Sequence, residues 1–147
     1  MYTCDASRQI KDLALRNFSP LTNLCGVNLL TAGTLAGILG PGDRFATDAQ
    51  LAAYAGVAPL EASSAGLVRH RLNRGGNRRL NSVLYRILLT QAHHLPAAKA
   101  YIDRRLSEGK TRREAHRALR RFVIRAIWRL WQECLPARIT VSAERAA

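Results

Sequence analysis

A short stretch near the middle of the chain places two adjacent hydroxyls, Ser63 and Ser64, ahead of a dense group of basic side chains. A serine oxygen can attack a phosphodiester once it is activated, and a guanidinium holds phosphate in a planar fork that is always charged. The basic residues of this stretch are Arg69, His70, Arg71, Arg74, Arg78 and Arg79. Hydroxyl nucleophiles beside such a positive field suit chemistry on a phosphodiester.

The same stretch also has a simpler interpretation. A run of serine, alanine and glycine is typical of a flexible turn, and a motif match is a hypothesis with a real false-positive risk. The basic run is the more informative feature, because no Asp or Glu appears between Glu61 and Asp103.

The basic run ends at a glycine pair directly before a predicted helix. The free backbone amides at a helix start carry the positive end of the helix dipole, so they face the same region as the arginines. We therefore expect this segment to bind the phosphates of a nucleic acid, through Arg69, Arg71, Arg74, Gly75, Gly76, Asn77 and Arg78.

The composition agrees with an anionic partner. The chain has 147 residues, with 23 Lys and Arg against 10 Asp and Glu, and a formal charge of +13. Such an excess favours DNA, RNA or another anionic surface as the partner. Aromatic residues are only 6% of the chain, which argues against a stacking platform for single strands. The length fits one domain with a small core.

The cysteines and histidines do not form a metal or disulfide pattern. Cys4, Cys25 and Cys134 are far apart and odd in number, which predicts reduced thiols. His93, His94 and His116 have no Cys or carboxylate at ligand spacing, so we expect no metal site in this chain. An apolar stretch long enough to span a bilayer and a signal sequence are both absent, which predicts a cytoplasmic protein without a membrane partner.

The spacing of apolar residues predicts an all-α fold, a small helical domain with a long basic loop between its helices. We divide the chain into an N-terminal helix (1–18), a main domain (19–135) and a tail (136–147). Ser19 and Pro20 predict a helix start, and a turn at residues 26–28 joins it to an apolar segment at 29–39. This pair predicts a helix–hairpin–helix-like unit whose turn amides approach a phosphate, or simply two helices packed in a core.

The rest of the chain alternates helix signals with the long loop. A capping box at Thr47 and Gln50 predicts a helix that stops at Gly56, and the loop then lasts to about Asn77. Helices are predicted at 77–95, from Pro96 to about 109, and from a second capping box at 111–114 onward. The last helix carries an arginine at every fourth position, either as a DNA-facing surface or as a solvated face: Arg113, Arg117, Arg121, Arg125 and Arg129.

Several segments, in this order, resemble the C-terminal domain of bacterial insertion-sequence transposases of the 110/116/902 family. They are LCGV (24–27), LAAYAGVAP (51–59), EASS (61–64), RHRLNRGGNRRL (69–80), Tyr101, EGKT (108–111) and the arginine-rich last helix. The resemblance covers roughly residues 18–133, and the RHRLNRGGN run is its most specific part.

The resemblance implies DNA transposition. Family members join this domain to a RuvC-like nuclease domain that binds divalent metal, expected to be Mg²⁺, through four acids. Their serine attacks DNA to form a phosphoserine link, a structured RNA guides them, and they assemble as homo-oligomers. The family serine normally follows a Pro and a short spacer and precedes a glycine. Ser64 fits that place best, although Ala65 follows it and Gly66 comes one residue later. Ser63 is therefore the alternative nucleophile.

The sequence also departs from the family pattern. The acids before Ser63 are few and scattered, and a RuvC-like domain does not precede them. We therefore expect a truncated copy that does not cut DNA alone and carries no cofactor of its own. The alternatives are a non-catalytic nucleic-acid-binding module and an inactive gene remnant.

Overall fold

The computed structural model describes residues 2–40, 44–58, 60–64, 67–71 and 75–134, and only the backbone of residues 2–4, 60–64 and 67–71. Its α-helices are α1 (Tyr2–Asn17), α2 (Leu29–Leu39), α3 (Asp48–Tyr54), α4 (Arg78–His94), α5 (Pro96–Ser107) and α6 (Arg112–Glu133). A 3-10 helix (Ser19–Asn23) lies between α1 and α2, and two strands, β1 (Leu60–Ser64) and β2 (Leu67–Arg71), lie between α3 and α4.

The helical fold class predicted from the sequence is confirmed. The segment predicted as one long loop is more ordered than expected, because β1 and β2 pair as a two-stranded antiparallel sheet within it. Two residues separate the strands in sequence, and this is the commonest length for a β-hairpin connection. The sequence did not predict β1, because its residues, LEASS, include none of the β-branched or aromatic residues that are typical of strands.

Helix α4 lies at the centre of the main hydrophobic core. Its apolar stripe, Leu80, Val83, Leu84 and Ile87, is at most 2% exposed. The stripe joins a cluster with the apolar faces of α2 and α6, where Leu35 and Ile127 are fully buried. Leu88, the residue after Ile87, enters a second, smaller cluster with α5 and the start of α6. The position of α4 in both clusters means that its ends are held by different sets of helices.

The helix starts follow the chemistry of their first turns. Thr111 and Glu114 form the predicted capping box of α6, with the threonine hydroxyl and the glutamate carboxylate each accepting the other residue's backbone N–H. At α3 the Thr47 hydroxyl accepts from the Gln50 N–H, as predicted. The Gln50 side chain, however, accepts from the N–H of Ala46 rather than of Thr47. The second hydrogen bond of the predicted capping box is therefore made to the residue before the N-cap.

The helix–hairpin–helix interpretation of the N-terminal part is not confirmed. Its first arm is a five-residue 3-10 helix rather than an α-helix, and its turn packs against α4. A Cβ atom on Gly26 would lie 3.1 Å from the Ile87 carbonyl oxygen, and the Gln91 amide donates to the Cys25 carbonyl at 3.0 Å. The glycine thus permits close packing of the turn on α4.

The helices, the potential metal ligands and the cysteines complete the description of the fold. In the described ranges, none of the helices combines the length and apolar character needed to cross a membrane. Among the described side chains, no three His, Cys, Asp or Glu residues are grouped so that they could hold a metal ion. Cys25 and Cys134 are not joined to each other in a disulfide, and the side chain of Cys4 lies outside the described part.

Candidate nucleic-acid interface

The register of the β-hairpin places the two serines on opposite faces. Ser64 pairs with Leu67, while positions 62 and 60 of the same strand pair with Arg69 and Arg71. Paired positions of an antiparallel ladder share a face, and alternate positions along one strand do the same. Position 64 therefore belongs to the face that holds positions 69 and 71, whereas position 63 shares its face with position 70.

The two ends of the hairpin segment are fixed to each other by hydrogen bonds. The Asn77 backbone N–H donates to the Tyr54 carbonyl at 2.7 Å, and the Asn77 amide nitrogen donates to the Tyr54 hydroxyl, also at 2.7 Å. The Asn77 side-chain oxygen accepts from the Leu80 N–H at 2.9 Å and so caps α4. One side chain thus joins the end of α3, the end of the hairpin segment and the start of α4.

Two glycines allow this close approach of main chains. A Cβ atom on Gly76 would lie only 2.4 Å from the Gly56 Cα and nitrogen, a distance that no side chain can occupy. Gly56 itself adopts φ 72°, a left-handed conformation that favours glycine. We call this meeting point, formed by Tyr54, Gly56, Gly76 and Asn77, the hairpin root.

The residues predicted to contact nucleic acid fall into three groups. Gly75, Gly76 and Asn77 lie at or beside the hairpin root, where Gly76 and Asn77 have packing and capping contacts. Arg78 is exposed at the first position of α4. Arg69 and Arg71 lie on β2 with their side chains outside the described part, and Arg74 lies outside the described residues altogether.

A cleft of about 610 Å³ opens beside the hairpin root, between α2 and the first half of α4. Two exposed arginines of α4, Arg79 and Arg86, line it, and its described lining residues include no carboxylate. The other lining residues are Thr34, Gly37, Ile38, Tyr54, Asn77, Ser82 and Val83. Sequence reasoning missed this cleft, although Arg79, Ser82 and Arg86 are spaced three and four residues apart, which places them on one helix face.

A cation and an aromatic ring from the segment before α3 pack against Tyr54. The Arg44 guanidinium carbon lies 4.6 Å from the centre of the Tyr54 ring and 5.2 Å from that of Phe45. The two rings are themselves 5.1 Å apart. Contacts of this kind are attractive because a cation faces the negative side of the ring, so they restrict Tyr54 to one position at the hairpin root.

The arginine row of α6 is divided between internal contacts and solvent. Arg121 donates to the Val57 carbonyl at 3.3 Å, and Arg125 forms a 3.1 Å ion pair with Asp48 of α3. Arg113 and Arg129 are exposed and Arg117 is half-buried. Neither predicted alternative therefore describes the whole row, since its middle members attach α6 to the α3 region.

A further cationic group lies where α4 meets α6. Arg120, which sequence reasoning did not single out, donates to the Asn81 side-chain oxygen at 2.6 Å. Burial, followed by the charge of Arg117, lowers the pKa of Arg120. Burial, followed by the charges of Arg112 and Arg120, lowers the pKa of His116. The first half of α6 is therefore a site of concentrated positive charge.

These features define a small basic helical domain that carries a serine-bearing hairpin on a fixed root. Comparison with known proteins gives the family. Residues 19–103 match the sequence model of the transposase IS116/IS110/IS902 family, and because this is more than half of the chain, the chain belongs to that family. The matched region includes α2, the hairpin, α4 and most of α5, and ends before α6.

A curated relative gives the same result over a longer range. The "Insertion element IS110 uncharacterized 43.6 kDa protein" of Streptomyces coelicolor is 32% identical over 130 residues, covering 84% of this chain. The chain spans only 32% of that relative's length, so the similarity concerns one part of a longer protein.

Proposed function

We propose that this chain is the DNA-binding, serine-bearing part of an insertion-sequence transposase and acts in DNA transposition together with a RuvC-like nuclease domain. In the proposed step the Ser64 oxygen attacks phosphorus, a phosphoserine bond forms, and the bond to one deoxyribose oxygen breaks. The serine proton is lost and the leaving oxygen gains one. A homo-oligomer and a guide RNA belong to the same proposal, because the family resemblance implies them.

The position of Ser64 on the hairpin is the observation that carries this proposal. The register puts position 64 on the same face as positions 69 and 71, both occupied by arginine. Fixed cations beside an attacked phosphate offset the negative charge that grows in the transition state. Ser63 shares its face with His70 instead, so the register favours Ser64 over its neighbour.

The divalent metal of the proposed reaction belongs to the RuvC-like domain. The described residues of this chain contain no group of three potential ligands for it. The part of the reaction assigned to this chain is therefore the nucleophile, the positioning of the strand and the compensation of its charge.

The test compares Ser64→Ala with Ser63→Ala. Each variant is mixed with a related RuvC-like domain, guide RNA and labelled DNA, and covalent protein–DNA adduct is measured on a denaturing gel. We expect Ser64→Ala to abolish the adduct, because it removes the attacking oxygen, and Ser63→Ala to retain most of it. An adduct that survives in Ser64→Ala, or is lost only in Ser63→Ala, would show that the assignment is wrong.

A second candidate is a nucleic-acid-binding module without catalysis. It is favoured by the formal charge of +13 and by a cationic cleft with no carboxylate among the lining residues that the structure describes. The same assay separates the two candidates. The module predicts that neither the wild type nor either variant forms adduct, whereas the catalytic proposal predicts adduct in the wild type.

A further inference from the structure

The cleft beside the hairpin root has the chemistry of an anion site. Arg79 and Arg86 lie seven residues apart on α4, which separates their Cα atoms by about 10.5 Å along the helix axis. Among the described residues neither guanidinium takes part in an ion pair, and no carboxylate lines the cleft. Two cations that line one cleft give it a positive potential, which attracts an anion.

The opposite side of the cleft provides space and hydrogen-bonding capacity. Gly37 lies in the interior of α2, and a Cβ atom built on it would meet nothing within 4 Å, so this side of the cleft is open. The Tyr54 hydroxyl accepts from the Asn77 amide and keeps its own proton to donate. Ile38 and Val83 add an apolar part that suits a sugar rather than a second charge.

We propose that this cleft binds one phosphodiester linkage of the DNA strand and its adjoining sugar, through Arg79, Arg86 and the Tyr54 hydroxyl. The inference rests on the proposed function in taking DNA as the ligand. It does not depend on the chemistry of Ser64, because it assigns a non-covalent contact away from the attacked phosphate.

The hairpin root connects the cleft to the serine. Tyr54 and Asn77 line the cleft and also fix the two ends of the hairpin segment to each other. The strands are short, so Ser64 lies roughly 14 Å along the sheet from the first residue pair. A DNA strand bound in the cleft would therefore contact the two residues that close the base of the serine-bearing hairpin, which favours a polynucleotide over a free mononucleotide as the ligand.

The test measures DNA binding by fluorescence anisotropy with a labelled oligonucleotide, in the full chain carrying Ser64→Ala. The cleft variant is Arg79→Ala with Arg86→Ala. The matched control is Arg113→Ala with Arg129→Ala, which removes two exposed arginines of α6 and changes the net charge equally. Circular dichroism confirms that each variant is folded.

We expect the cleft variant to weaken binding at least tenfold at physiological salt, and the control to weaken it less than threefold. Each lost phosphate contact lowers the slope of log K against log salt by about 0.9, so the cleft variant should also have a flatter salt response. Tyr54→Phe should weaken binding by a smaller factor and leave the slope unchanged, because it removes a hydroxyl and no charge.

Two results would overturn the inference. One is an equal loss of affinity in the cleft variant and the α6 control, which would mean that only net charge matters. The other is binding of labelled dAMP as tight as that of the oligonucleotide and lost in the cleft variant, which would mean a small-molecule site. Since Ser64→Ala is present throughout, failure here leaves the adduct assay, and with it the proposed function, untouched.

Discussion

At the scale of single residues, the hairpin root depends on the absence of side chains as much as on their presence. Gly76 and Gly56 bring two main-chain segments together at a distance where a Cβ atom would overlap backbone. Gly76 stays among the residues predicted to bind nucleic acid, and in the structure its main chain also lies against the main chain of Gly56. Asn77 likewise uses its amide nitrogen, amide oxygen and backbone N–H within the fold.

Substituting Gly76 tests this role directly. In Gly76→Ala the new Cβ would lie 2.4 Å from backbone atoms of Gly56, and backbone cannot move aside as a flexible side chain can. We expect a loss of about 1–3 kcal/mol in the free energy of unfolding, the usual cost of overpacking, measured by urea denaturation.

Gly37→Ala is the matched control for that substitution. Nothing lies within 4 Å of a Cβ at this position, and Ala is preferred to Gly inside a helix by about 0.5–1 kcal/mol. We expect the control to be as stable as the wild type or more so. Equal stability of the two variants would contradict the packing role of Gly76.

At the scale of elements, local chemistry predicted the helices well and pairing between distant segments poorly. The stripe of α4, Pro96 at the start of α5 and the box at Thr111 depend on residues within two turns of each other, so the sequence shows them. The hairpin itself is also local, but the sequence did not show it because LEASS lacks the residues typical of strands. The hairpin root and the cleft depend on contacts between segments that are remote in sequence, such as Asn77 with Tyr54. For the same reason the arginine row of α6 could not be divided in advance into the residues that attach it to the α3 region and those that face solvent.

The start of α6 provides a test by pH. The Thr111 backbone N–H, and then its hydroxyl, donate to Glu114 and lower the pKa of that carboxyl below its ordinary value of 4.5. A carboxyl whose pKa is lower in the folded chain stabilises the fold above its unfolded pKa and loses this effect as the pH falls through the folded pKa. We therefore expect Glu114 to contribute fully at pH 7 and to lose its contribution below about pH 4.5.

Glu114→Gln separates this effect from every other titration. Glutamine can accept the same hydrogen bonds in a capping box but does not ionise. Thermal unfolding of both proteins from pH 7 to pH 3 should show that the wild type loses more stability on acidification than the variant. The protonation of His116, whose pKa is lowered by burial, occurs in both proteins and cancels in the difference. Parallel curves would contradict the role of the box.

At the scale of the whole molecule, the excess of positive charge opposes the compact fold. The formal charge is +13 over 147 residues, and self-repulsion of this kind destabilises a folded chain. Among the described side chains three ion pairs offset it, and all of their members are at least 31% exposed. Exposed pairs of this kind contribute roughly 0–1 kcal/mol each, so repulsion should dominate the electrostatic free energy of folding.

The dependence of thermal stability on salt tests that balance. Raising NaCl shortens the Debye length from about 10 Å at 0.1 M to about 3 Å at 1 M, which screens repulsion between charges spread over the surface. We expect the unfolding temperature of the free chain to rise with NaCl, measured by circular dichroism. Chloride is used rather than sulfate, because sulfate also strengthens the burial of apolar surface.

A DNA oligonucleotide at low salt should also raise the unfolding temperature, since a ligand that binds only the folded state stabilises it. This gain should shrink as NaCl is added. An unfolding temperature that falls steadily with NaCl in the absence of DNA would mean that attractive ion pairs outweigh the repulsion.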